Sequence, residues 1–125
     1  MNGSGVLIDS VILIDHLNGV SAATSYLQKI GRVACISAIT RAEVLTGLSG
    51  DAWRTVAQFL DCFRFLPLDR EAADLAAELR RLHRWKLPDA FQAAVARHHK
   101  LSLATRNTAD FNPKLHPFVI IPYNL

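Results

Sequence analysis

Four acidic residues stand where their side chains could do chemistry. Asp9 directly follows the apolar stretch Val6–Ile8, and Glu43, Asp89 and Asp110 lie at or near the starts of predicted helices that follow strands. Carboxylates that converge repel one another, and a divalent cation such as Mg²⁺ or Mn²⁺ relieves that repulsion because it prefers oxygen ligands. Such an ion beside a phosphodiester activates water and stabilises the charge that develops on the phosphate. The pattern therefore predicts metal-assisted hydrolysis of a phosphodiester.

Each of these acids also has a structural explanation. Asp9 can cap the helix that follows it, and Asp89 stands in a first helical turn, where the helix dipole favours an acid. Asp110 follows Asn107 by three residues, which is the spacing of a capping pair. Glu43 has no Lys or Arg three or four residues away and could be an unpaired surface residue. Singly, none of the four decides the matter, but their joint placement favours a site.

The charge of the chain is unevenly distributed. The formal net charge is +3, yet residues 80–116 hold eight Lys and Arg and only two acids, Asp89 and Asp110. A basic segment around acidic positions favours a polyanionic partner such as nucleic acid, and a solvated cationic helix face is the open alternative. The candidate contacts to a nucleic-acid backbone are Arg84, Lys86, Arg97 and Arg106.

Short apolar runs alternate with helical segments along the whole chain. Strands are predicted at residues 6–8, 33–36, 65–66, 101–104 and 118–121. Helices are predicted at residues 11–17, 38–48 and 88–98, the second behind a Ser37 cap, and a brief one near 108–111. Ser21 can cap a helix that ends at residue 30, and Asp51 can cap one that ends at about residue 62. Asp69 opens a long helix whose apolar positions recur at helical spacing as far as Leu82. Continuously apolar strands separated by helices indicate a parallel sheet covered on both faces. Ligands of such sheets bind beyond the carboxyl ends of the strands, where Asp9 and Asn107 should lie.

Length and composition predict a single domain over residues 1–125. Half of the residues are apolar and a fifth are charged, which excludes a disordered chain, and no uncharged stretch is long enough to span a membrane. Residues 1–4 contain no Lys or Arg, so no secretory signal is expected. Cys35 and Cys62 form no disulfide framework, and both are predicted to be buried thiols of a cytoplasmic protein.

Four short motifs occur in order along nearly the whole chain. They are Leu-Ile-Asp-Ser at 7–10 with Ile-Asp at 14–15, Ile-Ser-Ala-Ile-Thr at 36–40 with Ala-Glu-Val-Leu at 42–45 and Gly-Leu at 47–48, Leu-Pro-Asp-Ala at 87–90, and Leu-Ala-Thr-Arg-Asn-Thr at 103–108 with Asp-Phe at 110–111. By these motifs the chain resembles the PIN domain family, in particular the VapC-type toxins of bacterial toxin–antitoxin pairs. A single short acidic motif is weak, whereas four in order at this spacing are specific.

The resemblance implies a PIN-like three-layer α/β/α fold, with a five-stranded parallel sheet in the order 3-2-1-4-5 and helices on both faces. It implies an endoribonuclease that depends on Mg²⁺ or Mn²⁺ and cleaves RNA, with tRNA favoured at the family level. It also implies a homodimer that a small cognate antitoxin neutralises, and no contact with a membrane.

The resemblance further assigns roles to individual residues. Asp9, Asp89 and Asp110 match the metal ligands, and Glu43 binds the metal directly or through water. Ser10 and Asn107 match supporting polar residues, and Asp15 matches a position outside the metal site. Many relatives have a further polar residue at the position of Val11, so one supporting hydrogen bond is in question here.

Three alternatives remain open beside this interpretation. A catalytically inactive PIN-like domain could bind RNA or act as a scaffold, although all four acids are present. A haloacid-dehalogenase-type phosphatase also places an Asp after its first strand, but it needs a second Asp two positions later, where this chain has Val11. Metal-free cleavage by His98 and His99 is disfavoured because adjacent helical residues point about 100° apart.

Overall fold

Five short strands form the centre of the fold. The structure, a computed structural model, describes residues 5–125; residues 1–4 of the predicted domain, which were considered for a secretory signal, lie outside the described part. The strands are β1 (Val6–Ile8), β2 (Ala34–Ser37), β3 (Arg64–Leu66), β4 (Ser102–Ala104) and β5 (Val119–Ile120). All neighbours pair in parallel in the order β3-β2-β1-β4-β5, which confirms the predicted topology.

Helices connect the strands and cover both faces of the sheet. They are α1 (Ser10–Leu17), α2 (Ser21–Ile30), α3 (Ala38–Leu45), α4 (Gly50–Leu60), α5 (Arg70–His83) and α6 (Leu87–His98), with one 3₁₀ turn at Gly31–Val33. No helix within residues 5–125 has the length and apolar character needed to cross a membrane.

The alternation of side chains along the strands creates two cores. On one face, Leu7 and Leu103 pack with Ala76 of α5 and Ala93 of α6. On the other face, Ile8 packs with residues of α1, α3 and α4. Both faces of β1 are therefore buried, which explains why the strand reads as an uninterrupted apolar run.

Several helix boundaries differ from those predicted. The third helix ends at Leu45 rather than 48, because Gly47 follows and glycine is a poor helix former. The fourth begins at Gly50 behind Ser49, so Asp51 is a first-turn acid rather than the cap. Ser21 is the first residue of α2 and not its cap, which is Val20.

Two further sequence predictions are wrong in detail. Residues 108–110 form a turn rather than a helix, since so short a segment cannot nucleate one. Cys35 is buried as predicted, but Cys62 lies in the turn after α4 and is exposed.

Candidate active site

Each predicted acid is carried by a different element of the fold. Asp9 is the N-cap of α1 at the carboxyl end of β1, and Glu43 lies on α3 after β2. Asp89 is in the first turn of α6, and Asp110 lies in the turn after β4. A backbone hydrogen bond from Asp9 N–H to the carbonyl of Ala104 at 2.9 Å joins the ends of β1 and β4. The acids consequently surround the carboxyl edge of the sheet, where ligands of parallel sheets bind.

Asp9 is held firmly by hydrogen-bond donors. The residue is only 6% exposed. Its Oδ1 accepts from the Ser10 backbone N–H at 2.9 Å and from Gln92 Nε2 at 3.2 Å. Its Oδ2 accepts from the Thr105 hydroxyl at 2.6 Å. Three donors on one carboxylate fix the direction in which its remaining lone pairs point.

Gln92 connects Asp9 to the interior through a chain of buried side chains. It is 1% exposed, and its Nε2 also donates to Thr40 Oγ1 at 2.8 Å. Thr40 Oγ1 donates to the Ile8 carbonyl at 2.9 Å, so its oxygen must accept from an N–H of Gln92. Ser37 Oγ accepts from two backbone N–H groups and donates to Gln92 Oε1 at 2.5 Å. The orientation of the amide is thus determined by its partners, and Nε2 faces Asp9.

Glu43 is the exposed member of the set. The hydroxyl of Ser10 donates to Glu43 Oε1 at 2.8 Å, so the supporting residue next to Asp9 orients a carboxylate on another helix. Val11 of α1, the position at which the resemblance implies a further polar residue, is instead partly buried against the apolar core.

Asp89 shows how strongly the acids affect one another. Its carboxyl group is about half buried, and this burial raises its pKa to about 7, with contributions from a hydrogen bond with Asp110 and from the charges of Asp9, Asp110 and Glu43. The other three predicted acids therefore all raise the pKa of one carboxyl group, and the four lie near one another at the rim.

Asp110 is positioned by a turn. Asn107 Nδ2 donates to Asp110 Oδ2 at 3.1 Å, and the Asp110 backbone N–H donates to Asn107 Oδ1 at 3.3 Å. The predicted capping pair therefore forms, although no helix follows. The buried Trp85 supports the same turn, because its Nε1 donates to the Asp110 carbonyl at 2.9 Å.

The donor set fits a hard divalent cation. It consists of carboxylate oxygens, which Mg²⁺ and Mn²⁺ prefer, and the crowding at Asp89 is the repulsion that such an ion relieves. Within residues 5–125, no three acid, His or Cys side chains are close enough to enclose an ion as they stand. Repulsion keeps carboxylates apart, and Mg²⁺ usually retains several waters, so direct contact with every acid is not required.

The basic candidates occupy different places. Arg106 forms a two-pronged ion pair with Asp15, with Nε and Nη2 at 2.6 and 3.0 Å from its two oxygens, so its partner is a carboxylate outside the site. Arg84 and Lys86 lie in the connection that leads into α6 at the rim. Arg97 is in the last turn of α6, about 12 Å along the axis from Asp89, and therefore far from the rim.

Sequence reasoning overlooked two polar partners of Asp9, Gln92 and Thr105, and also Thr40, which accepts a hydrogen bond from Gln92. Two of them carried a usable signal. Gln92 is the one polar residue in the buried stretch Ala90–Ala96 of α6, three positions after Asp89, where a polar side chain requires a partner. Thr105 directly follows β4, just as Asp9 follows β1.

The comparisons with known proteins agree with this geometry. The profile of the PIN domain family matches residues 6–112. Ribonuclease VapC10 of Mycobacterium tuberculosis is 39% identical over 114 residues, which is 85% of either chain. A chain of a toxin–antitoxin complex from Klebsiella pneumoniae superposes with a TM-score of 0.89 at 34% identity, over 97% of this chain and 100% of that one. FitAcB from Neisseria gonorrhoeae gives 0.79 at 26%, over 96% and 99%. The chain therefore belongs to the PIN domain family, among members that resemble the VapC ribonucleases.

Proposed function

We propose that this protein is a VapC-type toxin, an endoribonuclease that hydrolyses RNA phosphodiester bonds with the help of Mg²⁺ or Mn²⁺. The observation that carries the proposal is the joint effect of three other acids on the carboxyl group of Asp89, whose pKa burial and repulsion raise to about 7. Such a concentration of negative charge suits a cation site and repels RNA phosphates unless a cation is present.

Asp9, Asp89 and Asp110 would hold the ion, and Glu43 would bind it directly or through water. The ion, when bound, supplies a nucleophilic water and neutralises charge on the phosphate. Hydrolysis leaves a 5′-phosphate and a 3′-hydroxyl.

The neighbouring polar residues prepare these ligands. Gln92 and Thr105 fix both oxygens of Asp9, Asn107 holds Asp110, and Ser10 turns the carboxylate of Glu43 towards Asp9. Ordered supporting hydrogen bonds of this kind keep ligands in place before an ion arrives.

The substrate is proposed to be single-stranded or looped RNA, because such regions can enter an open rim. Arg84 and Lys86 are the candidates closest to the start of α6 for contacts with the phosphates. Arg106 has two of its donors engaged by Asp15, which favours a structural role, and its contact with RNA and that of Arg97 stay predictions.

The partner is proposed to be a small antitoxin encoded beside this chain, since similar chains have been solved in toxin–antitoxin complexes. A homodimer and a cytoplasmic location go with this proposal. Co-expression with the product of a short adjacent reading frame should give a stable complex and abolish RNA cleavage.

The decisive experiment is cleavage of RNA by the purified protein, followed by sequencing of the RNA ends. Cleavage should stop in excess chelator, resume with Mn²⁺ or Mg²⁺, and be absent from an Asp89→Asn variant. Full activity in chelator would contradict the metal site and revive the histidine alternative. Within residues 5–125 no three acid side chains stand ready to enclose an ion, which favours an inactive RNA-binding domain as the second candidate. RNA that is bound but never cut would support it.

A further inference from the structure

Three arginines surround a cleft on the outer face of α5. The cleft has a volume of about 420 Å³ and is lined by Ala77, Arg80, Arg81 and Arg84. These positions are spaced by three and four residues, so they share one helical face. The small side chain of Ala77 leaves room between the guanidinium groups.

The charges of this cleft have no carboxylate partners in the described part of the chain. The ion pairs of residues 5–125 belong instead to Arg41, Arg54 and Arg106. The three cleft arginines are exposed, and the one side-chain hydrogen bond seen among them within residues 5–125 uses a single donor of Arg80 on the Trp85 carbonyl, so most of their donors face solvent. A guanidinium group can donate two parallel hydrogen bonds to the oxygens of one phosphate. Three such groups around one cleft therefore favour a phosphate group as its ligand.

Arg84 adopts a backbone conformation that favours glycine. Its φ is +58° at the residue that ends α5, and Lys100 with φ +57° is the other non-glycine residue of 5–125 in this region. Glycine is the usual residue at such a helix end. Replacing Arg84 with glycine therefore removes the guanidinium group without straining the backbone.

The cleft is connected to the candidate active site by two hydrogen bonds. The Arg80 guanidinium donates to the carbonyl of Trp85, and Trp85 Nε1 donates to the carbonyl of Asp110. Lys86 follows, and α6 then begins with Asp89 in its first turn. The cleft therefore adjoins the rim on the side of Asp89 and Asp110.

We infer that Arg80, Arg81 and Arg84 form a subsite for a backbone phosphate of the RNA substrate, beside the Asp89 and Asp110 side of the rim. This inference rests on the proposed ribonuclease function. An RNA strand bound here is positioned without recognition of its base sequence, since phosphate contacts carry no sequence information.

The first test compares Arg84→Gly with Lys100→Gly. Both replace an exposed cation at positive φ, and both relieve the same backbone strain, so both variants should fold with an unchanged or higher melting temperature. Binding of a labelled single-stranded RNA of about 20 nucleotides is measured in chelator at several salt concentrations. Losing one phosphate contact should lower the salt slope by about 0.7 and the affinity about fivefold at 0.1 M salt. Only Arg84→Gly should show this loss, because Lys100 lies at the opposite edge of the sheet.

The second test compares Ala77→Glu with Ala52→Glu, two exposed helical alanines. The introduced carboxylate at 77 faces Arg81 one turn further on, a pairing that supports the helix while it occupies the cleft. Ala77→Glu should weaken RNA binding at least as much as Arg84→Gly, and Ala52→Glu should not.

The outcomes separate this inference from the proposed function. Equal losses in Arg84→Gly and Lys100→Gly would mean that only total charge matters and would overturn the subsite. Unchanged binding in Arg84→Gly and Ala77→Glu would overturn it as well, with metal-dependent cleavage intact. Wild-type protein that binds no RNA in chelator would overturn the subsite, and wild-type protein that also cleaves no RNA with Mn²⁺ would overturn both.

Discussion

The two sides of the carboxylate site are built in opposite ways. Asp9 is buried and accepts hydrogen bonds from Ser10, Gln92 and Thr105, so these donors offset the cost of removing its carboxylate from water. On the other side, Asp89 is half-buried beside Asp110, and burial and repulsion raise the pKa of Asp89 to about 7. The Asp9 carboxylate is thus hydrogen-bonded without an ion, whereas the ionised Asp89 carboxylate is unfavourable until an ion or a proton binds to it.

This contrast suggests how the site combines order with responsiveness. Donors fixed by the interior hold Asp9 in one orientation, which lowers the cost of organising a ligand when an ion binds. The repulsion on the Asp89 side adds to the free energy of ion binding because the ion relieves it. The hydrogen-bond donors thus fix the orientation of the Asp9 carboxylate, and relief of the repulsion at Asp89 adds to the free energy of ion binding.

The largest effect should come from comparing Asp9→Asn with Asp89→Asn. Both variants should lose RNA cleavage by about a hundredfold or more, because each removes a proposed metal ligand. Their stabilities without metal should change in opposite directions. Asp89→Asn removes repulsion and should stabilise the fold at pH 8 by about 1–2 kcal/mol after allowance for solvent screening. Asp9→Asn turns an amide N–H towards a donor and should destabilise it by about 1–3 kcal/mol.

Thermal unfolding in chelator measures both changes. Repulsion judged from the sequence alone predicts stabilisation for either variant, and the hydrogen bonds of Asp9 reverse that sign. Stabilisation by Asp9→Asn would show that its donors contribute little and that the two sides are alike.

The next effect concerns Gln92, the interior donor to Asp9. Gln92→Leu keeps the approximate volume but removes the bond to Asp9, and Mn²⁺ affinity should fall about tenfold. Thr40→Val is the matched control, because it breaks another bond of the same amide and leaves the contact with Asp9 in place.

Calorimetric titration with Mn²⁺ and thermal unfolding separate the two roles of Gln92. Both variants should lose stability, but only Gln92→Leu should lose affinity beyond a small change. Equal affinities in the two variants would mean that Gln92 serves folding alone.

A smaller effect should appear in the pH dependence of the metal-free protein. The unfolded Asp89 carboxyl releases its proton near pH 4, whereas the folded one keeps it until about pH 7. Between these values the folded state binds more protons, so stability should fall as the pH rises from 4 to 7. The expected loss is about 1–2 kcal/mol after screening. Asp89→Asn or saturating Mn²⁺ should remove this slope, and an unchanged slope in the variant would assign it to another group.

The sequence was sufficient to predict the parallel sheet and the edge at which the four acids lie. Apolar runs as short as Val6–Ile8 show that both faces of β1 are covered, and from this the carboxyl edge follows. The resemblance supplied the strand order that the structure confirms. Local rules also identified Ser37 and Asp69 as caps, because a cap and its helix are neighbours in the chain.

The polar support of the site could not be found in this way. Gln92 and Asp9 are 83 positions apart, and their contact depends on how α6 packs across the sheet. A lone Gln among alanines indicates a buried partner but does not say which one. The turn at Asp110 was misjudged for a related reason, since a bond pair with Asn107 and support from Trp85 replace the helix that the spacing suggested.

The smallest effect should come from Asp15, a buried carboxylate that lies outside the site and offers a reference for Asp9. The hydrogen bond from Arg106 lowers the pKa of Asp15 despite its burial, and the Tyr123 hydroxyl donates to the same carboxylate at 2.7 Å. Tyr123→Phe should therefore cost about 1 kcal/mol at pH 7. The difference from wild type should shrink only as the pH falls below the ordinary range of an aspartate carboxyl group, because the lowered pKa keeps Asp15 ionised to lower pH. RNA cleavage should be unchanged in folded protein, in contrast to Gln92→Leu.

Tyr26→Phe is the control, because no side-chain partner of that hydroxyl lies within residues 5–125. Slower cleavage by Tyr123→Phe at unchanged stability would place Asp15 within the functional site and end its use as a reference.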